Sequence, residues 1–135
     1  MAKDVTNNNT NNNWILVLDD EFDLLHLITE LLKRHGFSAY GFTEPLLALE
    51  HFQANSKDYS LVISDIRMPV MTGFEFVRKV KAVNSGVKLL LMTAFDIADI
   101  DLSKALPSSI KINSFVRKPF RTQELVKLVN QQLST

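Results

Sequence analysis

Short apolar runs alternate five times with longer segments in which apolar residues recur at helical spacing. The runs are WILVLDD at 14–20, FSAYGF at 37–42, YSLVISD at 59–65, VKLLLMTA at 87–94 and IKINSFV at 110–116. We predict a strand in each, because short apolar runs between turn-forming residues are typical of buried strands. The run at 87–94 is the most apolar and is predicted to be central.

The segments between these runs are predicted to be helices, at 21–36, 43–55, 72–86, 95–107 and 122–133. Thr43 is the expected N-cap of the second helix, and Thr72 with Glu75 has the spacing of a capping box for the third. The fourth helix is the weakest, because aspartates and isoleucines replace good helix formers and Pro107 ends it. Thr122 is the cap expected for the fifth.

Five alternating strands and helices predict a parallel sheet with helices on both faces, because parallel strands need crossover connections. The fold class is therefore α/β, a three-layer (βα)5 doubly wound domain. With 135 residues, 46% of them hydrophobic, the chain has the size of one domain. We assign residues 14–135 to that domain. Residues 1–13, rich in asparagine, are predicted to form a disordered tail.

Composition excludes several classes of function. The chain has 15 basic and 15 acidic residues, so it lacks the positive charge typical of a nucleic-acid binder. It has no cysteine, and no stretch approaches the length of a membrane span. We therefore expect a cytoplasmic protein with no direct nucleic-acid or membrane partner. No GxGxxG or GxxxxGK[ST] string suggests nucleotide binding.

Reactive side chains stand where the predicted strands end: Asp19 and Asp20 after the first, Asp65 after the third, Thr93 after the fourth and Lys118 after the fifth. Singly, each has an ordinary explanation as a helix cap, turn former or surface residue. Together they would meet at one edge of a parallel sheet, where ligands bind. Three carboxylates, a hydroxyl and an ammonium suit Mg²⁺ and a phosphoryl group, with a carboxylate as covalent acceptor.

Four segments carry a family resemblance: ILVLDDE, VISDIRMPVMTGFE, LLLMTAF and FVRKPF. Their order and spacing resemble the receiver domain of response regulators in two-component phosphorelay systems, over residues 14–133. The resemblance implies the flavodoxin-like strand order 2-1-3-4-5. It also implies that Asp65 is the phosphorylated residue, and that Asp19, Asp20, Asp65 and the backbone carbonyl of Arg67 hold Mg²⁺.

The resemblance further implies roles for three residues of the last two strands. Thr93 and Phe115 occupy the family's switch positions, and Lys118 is the lysine that contacts the phosphoryl group. A cis peptide bond is expected between Lys118 and Pro119. The chain departs from the family pattern at Lys111 and in a longer segment between Thr93 and Lys118, which affects the surface of the fourth helix and fifth strand.

The function implied is a phosphorylation switch. Asp65 would take a phosphoryl group from a sensor histidine kinase, a phosphotransfer protein or a small phosphodonor, and the surface of the fourth helix, fifth strand and fifth helix would change its partners. The domain would catalyse its own phosphorylation and dephosphorylation without being a conventional enzyme. The downstream partner is either another protein or a separate output domain, and the resemblance also allows a homodimer formed on phosphorylation. A stand-alone regulator and an excised receiver both fit.

Two other classes of function fit the sequence less well. A Mg²⁺-dependent phosphohydrolase of the haloacid dehalogenase type needs an Asp-x-Asp pattern on the first strand, which LDDEFD does not offer. A degenerate receiver acting as a constitutive binding module would lack a site residue, whereas all five are present. Arg67 and Phe95 are hypothesised to shield the acyl phosphate from water. His26, His35 and His51 are interpreted as surface or capping residues.

Overall fold

A computed structural model describes residues 12–134, with five strands and five helices in alternation. The strands are β1 (Trp14–Leu18), β2 (Ala39–Phe42), β3 (Tyr59–Asp65), β4 (Lys88–Thr93) and β5 (Ser114–Arg117). The helices are α1 (Phe22–Arg34), α2 (Pro45–Asn55), α3 (Gly73–Val83), α4 (Leu102–Ala105) and α5 (Thr122–Leu133). Short 3₁₀ turns occur at Ser56–Asp58 and Ile97–Asp99.

The strands form one parallel sheet in the order β2-β1-β3-β4-β5, as predicted. The register aligns Leu18 with Ser64, Asp65 with Met92, and Thr93 with Arg117. The carboxyl ends of β1, β3, β4 and β5 therefore meet at the same edge of the sheet. The α/β fold class and the strand order are confirmed.

Two apolar layers cover the two faces of the sheet, because alternate residues of each strand point in opposite directions. One layer joins residues such as Leu16, Val62 and Leu91 to α2 and α3. The other joins residues such as Val17 and Ile63 to α1 and α5. The three-layer prediction is therefore correct, and both layers are fully buried at their centres.

The fourth helix is much shorter than the predicted 95–107. Only one helical turn, α4, and the 3₁₀ turn at Ile97–Asp99 form there. The side chains of Asp96 and Asp101 each accept a backbone N–H from two residues further on, at 3.1 Å from Ala98 and 3.1 Å from Ser103. Such aspartate turns compete with continuous helix.

Two predicted caps are wrong. Helix α2 begins at Pro45, and the proline favours an extended conformation at Glu44, so Glu44 takes the N-cap position instead of Thr43. Arg121 has an extended backbone and is the N-cap of α5, which makes Thr122 the first helical residue. The capping box of Thr72 and Glu75 is confirmed.

The two predicted tail residues that the structure describes, Asn12 and Asn13, are hydrogen-bonded to the 3₁₀ turn before β3 and to β3 itself. Residues 1–11, most of the predicted tail, lie outside the described residues. Asn12 Nδ2 donates to Asp58 at 2.6 Å, and Ser60 Oγ donates to the Asn13 side chain at 2.7 Å. β5 begins at Ser114 instead of residue 110, because the Asn113 side chain and backbone both bond to Leu89 before the strand starts. Among residues 12–134, no helix combines the length and apolar character that crossing a membrane requires.

Candidate functional site

The five site residues predicted from the sequence lie at one edge of the sheet. Asp65 ends β3 and Thr93 ends β4, while Asp19 directly follows β1 and Lys118 directly follows β5. Asp20 is the next residue in the loop between β1 and α1. The structure therefore brings together all five residues, at the edge where parallel α/β sheets bind ligands.

A cavity of about 370 Å³ opens between these strand ends. Asp20, Asp65, Thr93 and Lys118 line it, together with Glu21, Ile66, Arg67, Ala94 and Phe95. A larger cavity, of about 560 Å³, lies between α1 and α5 and contains none of the predicted site residues. We therefore take the smaller cavity, which we call the carboxylate cavity, as the candidate site.

Lys118 contacts three carboxylates in this site. Its Nζ donates to Asp19 Oδ2 at 2.9 Å and lies 3.4 Å from Asp65 Oδ1 and 3.5 Å from Glu21 Oε1. The other oxygen of Asp19, Oδ1, accepts the backbone N–H of Glu21 at 2.8 Å. Both oxygens of this fully buried carboxylate are thus held in place. Lysine is suited to this position because its ammonium acts as a compact point charge.

The charges of Asp65 and Lys118 influence each other through this contact. Burial raises the pKa of the Asp65 carboxyl; Lys118 opposes the rise, and Asp19 and Asp20 add to it. Burial lowers the pKa of Lys118, but its hydrogen bond to Asp19 and the charges of Asp19 and Asp65 more than compensate, so that its pKa lies above the ordinary value. Lys118 therefore stays protonated at neutral pH.

Three carboxylates form a group that is compatible with a divalent cation. One oxygen from each of Asp19, Asp20 and Asp65 lies within 4.8 Å of the other two. Asp19 and Asp65 are buried while Asp20 is exposed, so the group opens to solvent on one side. Mg²⁺ prefers oxygen ligands and keeps several waters, which this half-open set permits. Arg67, whose carbonyl was predicted as a further ligand, lines the same cavity.

The loop after β3 folds back tightly on the strand end, so that Asp65, although buried, lines the carboxylate cavity. Ile66 N–H donates to the Met92 carbonyl at 3.0 Å, and Gly73 N–H donates to the Ile66 carbonyl at 2.7 Å. A Cβ on residue 73 would collide with the Asp65 carbonyl oxygen and lie 2.9 Å from Ile66 Cα. Only glycine allows this approach, after which the Thr72 capping box starts α3.

The two predicted switch residues lie on neighbouring strands. Thr93 is buried, and its Oγ1 accepts the Phe95 N–H at 2.9 Å. Phe115 pairs with Leu91, two residues before Thr93, and packs partly buried against the apolar layer that contains Leu91. Because side chains alternate along a strand, Thr93 and Phe115 belong to the same face of the sheet.

Two contacts of the site, that of Arg67 with Phe95 and that of Glu21 with Lys118, could not be predicted from the spacing of residues in the sequence. The Arg67 guanidinium lies 4.4 Å from the centre of the Phe95 ring at the cavity wall, a cation–π contact. Glu21 is a third carboxylate partner of Lys118, at 3.5 Å. The Lys118–Pro119 peptide bond is cis, as expected.

The interpretation of His51 as a surface or capping residue is wrong. Its ring is half-buried, and Nε2 lies 2.6 Å from the hydroxyl of buried Tyr59. Burial lowers the pKa of His51. Phe42 and Tyr40 surround the ring at 5.0 and 6.0 Å between centroids. His51 lies in α2 and Tyr59 lies in β3, and their separation of eight residues gave no indication in the sequence that they form a hydrogen bond. His35 does cap α1, because its Nδ1 lies 3.0 Å from the Leu31 carbonyl.

Comparison with known proteins agrees with this geometry. The family model described as "Response regulator receiver domain" matches residues 15–130. The response regulator receiver protein CpdR of Brucella abortus is 27% identical over 119 residues, 88% of this chain and 95% of CpdR. Sporulation initiation phosphotransferase F of Bacillus subtilis is 28% identical over 122 residues, 90% of this chain and 94% of that protein.

The chain is also similar to solved structures and to longer regulatory proteins. The crystal structure of chemotaxis protein CheY4 of Vibrio cholerae is 25% identical, with a TM-score of 0.75, and the match covers 87% of this chain and 96% of that one. Other matched regulators are longer, and the chain spans about half of their length. The chain therefore belongs to the response regulator receiver domain family and is a phosphoacceptor switch domain of two-component signalling.

Proposed function

We propose that Asp65 is the phosphoacceptor of this domain, and that the donor is a phosphohistidine of a sensor kinase or phosphotransfer protein, or a small phosphodonor. The observation that carries the proposal is the position of Lys118. Its ammonium contacts both Asp65, at the end of β3, and Asp19, which belongs to the carboxylate group. A nucleophile, a cation-binding group and a phosphate-binding ammonium thus share one cavity.

The transfer is a substitution at phosphorus. A carboxylate oxygen of Asp65 forms a bond to phosphorus, and the P–N bond of phosphohistidine breaks; the imidazole nitrogen keeps the electron pair and takes a proton from water. With acetyl phosphate the P–O bond breaks and acetate leaves. Hydrolysis by water at phosphorus then releases inorganic phosphate and restores the carboxylate. The domain's own residues would catalyse both steps.

Each site residue has a distinct role in this proposal. Asp19, Asp20 and Asp65, with the Arg67 carbonyl, would hold Mg²⁺, which supplies positive charge against the repulsion between a carboxylate and a phosphoryl group. Lys118 binds a phosphoryl oxygen while it keeps its 2.9 Å contact with Asp19. Charge-assisted contacts of this kind are the strong ones at phosphate sites.

We propose that the switch runs from Thr93 to Phe115. On phosphorylation the Thr93 hydroxyl exchanges its bond with the Phe95 N–H for one to the phosphoryl group, and Phe115 repacks on the same face of the sheet. The surface of α4, β5 and α5 then changes its affinity for a downstream protein or a separate output domain. Size-exclusion chromatography with and without beryllofluoride measures whether a homodimer forms.

Intact-mass measurement after incubation with acetyl phosphate and Mg²⁺ tests the assignment. The expected result is a gain of one phosphoryl group, lost when EDTA removes the cation and absent in Asp65→Asn. Asp23→Asn, which changes an exposed aspartate on the first turn of α1, is the matched control and should be labelled normally. Labelling of Asp65→Asn at the wild-type level would refute the proposal. Turnover of p-nitrophenyl phosphate would indicate a phosphohydrolase instead.

A further inference from the structure

Val70 has a backbone conformation that its side chain disfavours. Its φ is 74°, and the Met71 N–H donates to the Pro69 carbonyl at 2.8 Å, which closes a three-residue γ-turn. Turns of this form with positive φ are rare and strained, and a β-branched residue at positive φ is an outlier. The side chain is nevertheless 82% exposed. Packing of this side chain against residues 12–134 therefore offsets little of the strain.

This exposed valine forms one wall of a small groove beside the carboxylate cavity. The groove has a volume of about 170 Å³, and its apolar walls are Pro45 and Leu46 at the start of α2 and Pro69 and Val70 in the loop after β3. A void of roughly 150 Å³ can accept a benzene ring, so the groove can accept one apolar side chain. Leu46 is 60% exposed there.

Asp20 connects the groove to the site of phosphorylation, because it lines both cavities. Acetyl phosphate needs only the carboxylate cavity to reach Asp65. A phosphohistidine fixed on a protein must be carried to a carboxylate that is only 7% exposed, so the surface around that histidine has to cover the rim next to Asp20. The α1–α5 cavity shares no lining residue with the carboxylate cavity.

We propose that this groove, the Leu46–Val70 groove, receives an apolar side chain of the protein that carries the phosphohistidine, and that Leu46 and Val70 determine how efficiently that protein donates. The inference rests on the proposed phosphorylation of Asp65. The exposed carboxylates of Asp20 and Glu44 border the apolar walls, so the partner's side chain is flanked by basic residues. Val70 combines backbone strain with an exposed apolar side chain, which is consistent with a role of this residue in binding a partner and not in folding.

Phosphotransfer from two kinds of donor tests the proposal. The protein donor is the autophosphorylated kinase core that labels the domain fastest in a panel of histidine kinases from the source organism, and the small donors are acetyl phosphate and phosphoramidate. Leu46→Ala and Val70→Asn each should lower kcat/KM with the protein donor about tenfold, the factor expected for losing one buried aliphatic side chain. Both variants should accept phosphoryl groups from the small donors at the wild-type rate.

Leu47→Ala is the matched control, because Leu47 is the next residue of α2, is 50% exposed and does not line the groove. It should leave transfer from the protein donor unchanged. The proposal is overturned if Leu46→Ala and Val70→Asn transfer normally, if Leu47→Ala is equally slow, or if no protein donor outpaces phosphoramidate. Failure of acetyl phosphate to label the wild type would instead overturn the assignment of Asp65.

Discussion

The contact between Arg67 and Phe95 should lengthen the lifetime of the acyl phosphate on Asp65. The guanidinium lies 4.4 Å from the ring centre, and both residues line the carboxylate cavity, so the pair restricts the approach of water. An exposed cation–π contact stabilises by about 0.5–1 kcal/mol. If hydrolysis requires the pair to separate, removing either partner should speed dephosphorylation roughly two- to fivefold.

The assay follows phosphorylated protein by intact mass after acetyl phosphate is removed in Mg²⁺ buffer. We expect faster decay in Arg67→Ala and in Phe95→Ala, and a double variant no faster than the faster single one, because one contact is lost in all three. Arg78→Ala and Phe22→Ala remove an exposed arginine and an exposed phenylalanine that do not line the cavity. Unchanged decay in both single variants, or equal acceleration in the controls, would refute the shielding argument.

Three further predictions concern stability. Gly73→Ala should destabilise the domain by at least about 2 kcal/mol, because a Cβ collides with the Asp65 backbone; a urea midpoint equal to wild type contradicts this. Val70→Gly should stabilise the domain by about 1 kcal/mol, because glycine adopts the positive φ of this position without strain. The relief of roughly 1–3 kcal/mol of backbone strain exceeds the roughly 0.5–1 kcal/mol that the entropy of glycine costs. A melting temperature below that of the wild type would contradict this prediction. Burial lowers the pKa of His51 in the folded domain below its ordinary value of 6.5. As pH falls through 6.5, His51 of the unfolded chain therefore binds a proton before His51 of the folded domain does. The free energy of unfolding decreases over this range, until the pH is below the folded-state pKa as well. Between pH 7.5 and 5.5 the urea midpoint should therefore fall more for wild type than for His51→Gln, and parallel curves would show that His51 makes no contribution.

The residues of the site could be predicted because the strands are parallel, which places all their carboxyl ends at the same edge of the sheet. Asp19, Asp65, Thr93 and Lys118 are separated by up to 99 residues along the chain, yet each stands at the end of a recognisable apolar run. The shared edge follows from the direction of the strands, because helical crossovers connect parallel strands. The strand order, which decides which strand ends are neighbours, was implied only by the family resemblance.

Contacts decided by side-chain competition could not be predicted in this way. The aspartates at 96 and 101 bind backbone N–H groups and divide the fourth helix into two short turns. The hydrogen bond between His51 and Tyr59 and the positive φ of Val70 depend on how α2 and the loop after β3 settle on the sheet. Hydrophobic periodicity carries no information about either.

The local charge explains why the site should depend on a divalent cation although the chain is neutral. Four carboxylates, of Asp19, Asp20, Glu21 and Asp65, share the site with the Lys118 ammonium and the Arg67 guanidinium, an excess of two negative charges when all are ionised. Phosphorylation replaces the single negative charge of the Asp65 carboxylate with the roughly two of an acyl phosphate, so it adds about one more. A divalent cation would more than offset that addition. Lys118 alone would not, because its ammonium already contacts Asp19, Glu21 and Asp65 in the unphosphorylated domain.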